Sequence, residues 1–432
     1  MRILQLTPGT GNFYCGNCIR DNALVNALQK LGHECTLVPM YLPMLTEGPS
    51  AADGEEVQFG GINAYLQQKS SVFRKAPRWV DRLFNAPWML RMAAKRAGMT
   101  KASELGEMTN SMLAGEMGHQ AKEIDKLVEW IGNTKQVDVV NLSNCLLIGL
   151  ARRIKEALGV PVVCTLMGED AYLDALPEDD SNRAWDMLTE RAKGLDAFVA
   201  VSQYYGDVMK NRMSLRDDQL RVVYNGVSLD GYADSSEKPD APTLGYFARM
   251  CHGKGLHILV DAFIELKKRD TIPNLKLRVA GTKTEIDDLF IAEQKTKLAK
   301  ANLTDAAKFI PNVPREEKIR FLESLSVLSV PVIYGESFGM YLIEAMAAGV
   351  PVVQPNSGAF PEIVDQTGGG VIYEPAPGSS ALADAIEGLL SNPDRAKQLG
   401  EQGRQSVREK FTVDHMARGV VEVYESVLAT VS

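Results

Sequence analysis

The feature that most constrains this chain is a repeated alternation of short apolar runs with longer segments of helical spacing. Residues 3–6, 36–39, 137–141, 160–166 and 197–201 are apolar runs bounded by turn residues. Runs of that length mark strands buried on both faces. Between them, residues 21–31, 146–158 and 183–193 place apolar residues at helical intervals. Such alternation builds a parallel sheet with helices packed on it. A polar, proline-containing stretch at 233–242 (ADSSEKPDAP) reads as a linker. The alternation then resumes. Strands are expected at 244–247, 275–280, 307–310, 326–331, 351–354 and 370–373, and helices at 255–268, 285–301, 315–323, 340–348, 379–390 and 394–410. The expected fold class is α/β, with two Rossmann-like, doubly wound domains facing across a cleft. Ligands of such sheets bind at the carboxyl ends of the strands.

Length and composition agree with this reading. The chain has 432 residues, which at about 100–200 residues per domain suggests two or three domains. Hydrophobic residues make up 45% and charged residues 24%, enough apolar material for a large core and too much for a disordered chain. A net charge of −8 speaks against a dedicated nucleic-acid binder, which carries a basic excess. The opening MRILQLTPGTG has one Arg and a short apolar run broken by Pro and Gly. It is expected to be a first strand, not a signal peptide. With no apolar run near the roughly 20 residues of a membrane span, the expected location is cytoplasmic, with peripheral contact at the inner membrane face left open.

Two motifs in the second half carry chemistry. Residues 334–353, YGESFGMYLIEAMAAGVPVV, place Glu336 and Glu344 eight apart, with Gly339 before an expected helix start at Met340. A helix start offers backbone N–H groups and the positive end of its dipole to an anion such as a diphosphate. Taken alone, the stretch also reads as a capped core helix carrying two solvated acids. Residues 249–255, RMCHGKG, put Arg249 and Lys254 just after an expected strand. Two cations there suit a leaving diphosphate, Arg binding it bidentately and Lys as a point charge. The chain has no Asp-x-Asp pair, so a metal-bridged diphosphate finds no obvious ligand set, and no metal site or other cofactor is expected.

These residues resemble those of the family 4 (group 1) retaining glycosyltransferases of the GT-B fold. The similarity extends to GHECTLV at 32–38, VSQYYGDVM at 201–209, VVYNGVSLDGY at 222–232 and SGAFPEIV at 357–364. It implies an enzyme that transfers a sugar from a nucleotide-sugar donor, with retention and without metal. Arg249 and Lys254 would hold the donor diphosphate, and Glu336 the donor sugar near the reacting carbon. Ser337, Phe338, Gly339, Met340, Tyr341 and Leu342 would offer backbone amides. Glu344 would bind the ribose, and Asn312 and Val313 would lie along the base. The implied domains are 1–236, on the acceptor side, with a helical insertion at about 69–130, and 240–410, which binds the donor. Residues 411–432 would form a helix returning to the first domain. The resemblance implies a glycan, lipid-linked or small-molecule acceptor.

The first half departs from the family pattern. Its motif CTLMGED has Met167 where the family usually has His, and a methionine cannot move a proton. Glu169 and Asp170 are candidate replacements on the acceptor side, or else loop and capping acids. The loop 8–18, PGTGNFYCGNC, permits close backbone approach to a phosphate or sugar, with Gly16 the expected contact. Met167 motivates an alternative, a nucleotide-sugar-binding protein with impaired transfer. A weaker alternative is a dithiol oxidoreductase using Cys15 and Cys18, whose C-x-x-C spacing also suits half of a zinc site, although no second pair follows.

Residues 69–101 hold nine Lys and Arg against one acid, Asp81, with Trp79, Phe84 and Trp88 interleaved. The segment reads as a helical insertion packed on its own domain, or as a basic, aromatic surface for a membrane interface. Near an anionic surface each cation contributes about 1 kcal/mol. On the second reading, sedimentation with anionic vesicles at low salt carries the protein down. Added salt, or alanine at Arg74, Lys75 and Arg78, returns it to the supernatant. Recovery in the supernatant at low salt makes the segment an ordinary insertion.

Overall fold

In a computed structural model of the chain, the structure describes residues 1–9, 16–52, 61–70, 73–74, 102–134, 136–233, 239–375 and 377–431. Cys15, most of the loop 8–18, and all of the basic segment except residues 69, 70, 73 and 74 lie outside them. The chain divides into two compact units, one of residues 1–224 with 416–432 and one of residues 225–415.

The first unit contains a parallel sheet of strands β1 (Arg2–Thr7), β2 (Glu34–Pro39), β3 (Val139–Leu142), β4 (Val162–Leu166), β5 (Ala197–Ala200) and β6 (Leu220–Val222). They run in the order β2-β1-β3-β4-β5-β6. Every residue of β3, β4 and β5 is buried, as expected of a sheet covered on both faces. Burial leaves polar strand residues needing partners, and register supplies one. Gln5 of β1 lies opposite Asn141 of β3, and the Asn141 amide donates to Gln5 Oε1 at 2.7 Å. The last helix, Val413–Val431, contributes residues 416–432 to this unit, and its Gly419 lies so close to Val223 that a Cβ would come within 2.9 Å.

The second unit contains β7 (Thr243–Phe247), β8 (Lys276–Gly281), β9 (Ala307–Pro311), β10 (Val327–Leu328), β11 (Val352–Pro355) and β12 (Gly370–Tyr373). All are parallel, in the order β12-β11-β10-β7-β8-β9. Counted from its own first strand this is 3-2-1-4-5-6, the dinucleotide-binding order, with its switch point between β7 and β10. In the first unit the order reverses between β1 and β3.

The α/β, doubly wound class holds, while several elements differ from expectation. The helix expected at 146–158 opens as a 3-10 turn, Cys145–Leu150, before Ala151–Leu158. Gly149 there approaches the Met112 carbonyl so closely that a Cβ would lie 2.1 Å from it. The strand expected at 326–331 pairs only over Val327–Leu328. Pro331 has no N–H to continue a ladder, and Val330 N–H turns to the Gln354 side chain at 3.3 Å. The helix expected from 285 begins with a 3-10 turn, Glu285–Asp287, before Asp288–Lys300.

Candidate functional site

The loops at the switch point of the second sheet carry Arg249, Lys254 and Glu336, and bring Lys254 and Glu336 together. The loop after β7 brings Arg249 and Lys254, and the loop after β10 brings Glu336. Glycines let these loops meet. Gly255 has φ +71°, and a Cβ there would lie 1.8 Å from the Pro331 carbonyl oxygen. Gly358, at φ +61°, would put a Cβ 2.4 Å from the Glu336 nitrogen, and Ala359 N–H donates to the Glu336 carbonyl at 2.9 Å. The SGAFPEIV stretch thus serves as the seat of the Glu336 loop. Gly339 adopts φ +82° and starts helix Met340–Ala347.

The two acids are not solvated. Glu336 and Glu344 are both 8% exposed. Lys254 Nζ forms an ion pair with Glu336 Oε2, the same oxygen that Tyr341 OH donates to at 3.0 Å. The ammonium also lies 5.1 Å from the Tyr334 ring centroid and 5.9 Å from that of Tyr341, within cation–π range. Burial pulls the Lys254 ammonium down, but the Glu336 carboxylate and Tyr334 outweigh it and hold its pKa above the ordinary lysine value. Burial, then Glu336, pushes the Tyr341 phenol well up. Glu344 pairs with Lys318 at 2.8 Å, the lysine side chain only 3% exposed.

Arg249 meets Asp287 through two nitrogens, at 3.2 and 3.4 Å. Asp287 is itself held by the Thr284 N–H at 2.9 Å and hydroxyl at 2.8 Å. The Arg249 side chain remains 49% exposed, so it is oriented yet reachable by an anion. Asn312 takes a left-handed conformation, φ 56°, and exchanges two hydrogen bonds with the Lys283 backbone at 2.9 and 3.1 Å. It closes the loop on which the half-buried Val313 follows. Among the expected amide donors Ser337–Leu342, the Leu342 N–H is already given to Gly339 O at 2.9 Å. Met340 and Tyr341 open the helix.

Sequence reasoning missed Lys318, Asp287 and the phenols of Tyr334 and Tyr341. A lysine inside the amphipathic helix Arg315–Glu323 reads as a solvent-facing residue. The Thr-x-x-Asp spacing of 284–287, a capping signal, was the available pointer to Asp287.

In the first unit, Gly16 is the exposed first residue of helix Gly16–Lys30. Met167 and Asp170 are half-buried, whereas Glu169 is turned inward and 4% exposed. Its carboxylate accepts from the N–H groups of Cys145 at 3.1 Å, Met167 at 2.9 Å and Gly168 at 2.9 Å, and from Tyr205 OH at 2.9 Å. It holds the loop together, which is the structural one of its two expected roles. Burial raises the Asp170 carboxyl above the usual range. Cys18 is buried.

Comparison with known proteins adds three findings. Residues 232–406 match the family "Glycosyl transferases group 1", and residues 112–230 match "Glycosyltransferase Family 4". The chain is 28% identical over 257 residues to the alpha-maltose-1-phosphate synthase of Mycolicibacterium smegmatis, covering 54% of this chain and 64% of that protein. It is 32% identical over 224 residues to the lipopolysaccharide core biosynthesis mannosyltransferase LpsB of Rhizobium meliloti, covering 48% and 61%. These matches span somewhat less than two thirds of both relatives. Among solved structures, sucrose-phosphate synthase from Thermosynechococcus elongatus aligns over 100% of both chains, with a TM-score of 0.70 at 18% identity. Anabaena HepE, solved in complex with UDP and glucose, aligns over 99% of this chain and 100% of its own, with a TM-score of 0.68 at 16% identity.

Two predictions follow from the charge arrangement. Removing one partner of a buried pair strands the other, at about 3–5 kcal/mol. Lys318→Met should therefore lower the denaturant midpoint sharply, and the double variant Lys318→Met, Glu344→Leu should lose much less than the two single changes summed. The second concerns His252 and His257, whose rings stack 4.1 Å apart. Burial, His252 and Lys297 hold the His257 pKa below 6.5, with Asp261 opposing. A histidine depressed on folding contributes stability above its unfolded pKa and loses it as pH falls. Stability should therefore decline as pH drops below 6.5, and His257→Gln should flatten that part of a thermal-melt pH profile.

Proposed function

We propose that this chain, which belongs to the family 4 (group 1) glycosyltransferases of the GT-B fold, moves a sugar from a nucleotide-sugar donor to an acceptor with retention at the anomeric carbon. The observation that supports the reading is the Lys254–Glu336 ion pair across the switch point of the second sheet, with Arg249 on the same loop as Lys254 and held by Asp287. A leaving diphosphate gains negative charge as the glycosidic bond breaks, and preorganised cations stabilise that charge without reorganising. The half-exposed Arg249, aimed by Asp287, meets the phosphate bidentately. Lys254 has three N–H donors, so it can serve a phosphate oxygen while keeping Glu336.

Glu336 then faces the hydroxyls of the donor sugar. Glu344, whose Oε1 holds Lys318, meets the ribose. Asn312 and Val313 border the base. With these cations in place, the chemistry runs without metal. The acceptor oxygen bonds the anomeric carbon on the face from which the phosphate departs, and the phosphate oxygen takes the acceptor proton. Met167, which cannot move a proton, is compatible with that route. Met167 and Asp170 belong to the acceptor side, and Gly16 meets the donor. The UDP and glucose held by the similar HepE structure support a nucleotide sugar as partner.

Met167 also favours a second reading, donor binding without transfer. A thermal-shift screen with UDP-, GDP- and ADP-sugars tests both. A ligand at 100 times its dissociation constant stabilises by about 2.7 kcal/mol. The matching donor should shift the melt and be slowly hydrolysed. Arg249→Ala and Lys254→Ala should slow that hydrolysis about 10²- to 10³-fold. A donor that binds tightly but is neither hydrolysed nor transferred selects the binding protein, and unchanged rates in both variants overturn the enzyme assignment.

A further inference from the structure

The first unit carries a cavity at the carboxyl edge of its sheet whose described lining includes none of Gly16, Met167, Glu169 and Asp170. Its volume is about 170 Å³. Pro8 follows β1, Tyr41 follows β2, and Leu146 and Leu147 follow β3, so the cavity sits where the order β2-β1-β3 reverses. In open α/β sheets that is the place of ligands.

Among the described residues, a further wall is one stripe of helix Ala102–Leu113. Leu105, Met108 and Met112 are spaced by three and four residues and share a face. An apolar stripe on a helix of a folded domain is normally buried against the core. These three residues, and Leu146 opposite, are only half-buried, because they border the cavity. Three oxygens of the rim are engaged with the protein, while the Asn144 amide N–H groups stay at its edge. The Thr109 and Tyr172 hydroxyls bond each other at 2.8 Å, and Asn144 Oδ1 accepts from the Leu146 N–H at 3.1 Å. Deeper in, the walls are Pro8, Leu105, Met108, Met112, Leu146 and Leu147, where a sugar hydroxyl would give up water for little in return and hydrocarbon is favoured. Methionine side chains adapt their shape to an apolar guest. An apolar cavity of about 150 Å³ takes a benzene, so this one fits a group of about six carbons.

We propose that this cavity binds a hydrocarbon group of the acceptor, about six carbons of a chain or one ring, so that the acceptor is amphipathic and not a bare sugar. The proposal rests on the acceptor-side role given to the first unit above. It places the sugar-accepting hydroxyl outside the cavity and the apolar anchor within it.

Calorimetric titration of the full chain with methyl, butyl, hexyl, octyl and phenyl β-glucosides, all below micelle formation, tests it. Affinity should rise about fourfold per methylene, the equivalent of about 0.8 kcal/mol, and level off near six carbons. Hexyl binding more tightly than phenyl assigns a chain, and the reverse assigns a ring. Met112→Trp, which fills the space, and Met108→Asp, which charges it, should each remove at least tenfold of the preference for hexyl over methyl. Neither should alter the thermal shift given by the nucleotide sugar. Equal affinity for methyl, hexyl and phenyl glucosides in the wild type overturns the proposal, as does a chain preference that survives in both variants. Loss of the nucleotide-sugar shift in the wild type, with the chain preference intact, counts against the donor reading alone.

Discussion

A carboxylate withdrawn from water costs several kcal/mol unless a cation and hydrogen bonds meet it, and the second unit buries two of them around a helix whose residues 341–347 are all buried. Each has its lysine. Lys254 comes from 82 residues before Glu336, and Lys318 from 26 residues before Glu344. Because neither acid can be buried alone, the pairs tie three separate segments to one helix start. The loop after β7, the helix Arg315–Glu323 and the Glu336 loop must all be in place together. Gly255 and Gly358 are the corresponding backbone requirement, since either loop would collide with its neighbour if it carried a Cβ.

Strand order makes that convergence possible. In a parallel sheet every strand delivers its following loop to the same edge, and only at the switch point do two neighbouring crossovers leave in opposite directions and open a crevice. Arg249 and Lys254 follow one strand of that pair, and Glu336 follows the other. The first sheet has the same device between β1 and β3, where the apolar cavity lies. Two sheets of different strand order therefore place their special residues by one rule.

The alternation of elements was legible because buried parallel strands and covering helices are the strongest patterns a sequence carries. Legibility failed where pattern and structure part. β6 is only three residues long with Arg221 at its centre, so no apolar run announces it. The run at 326–331 is apolar throughout, but Pro331 and the Gln354 side chain end its pairing after two residues. In the site, Arg249, Lys254, Glu336 and Glu344 stood out by type and spacing. Their partners Asp287 and Lys318 did not, because ion pairs across 38 and 26 residues are set by tertiary packing. For the same reason nothing in the sequence distinguished a solvated Glu344 from one sealed against a lysine.

Glu169 shows how one residue type allows two roles that only tertiary contacts tell apart. In the turn after β4, Glu169 is the residue whose chemistry best suits a base, yet three backbone N–H groups and the Tyr205 phenol occupy its carboxylate. A carboxylate so engaged would have to give up those bonds to take a proton from a substrate. Met167 beside it has no proton to move, and Asp170 is the half-buried acid that remains. The turn is therefore built to hold its shape, and its charge points into the protein. Under the proposed route the transfer asks for nothing more there, since the proton of the acceptor goes to the departing phosphate. What the first unit must then supply is position, through the loop ends at the edge of its sheet and the apolar space beside them.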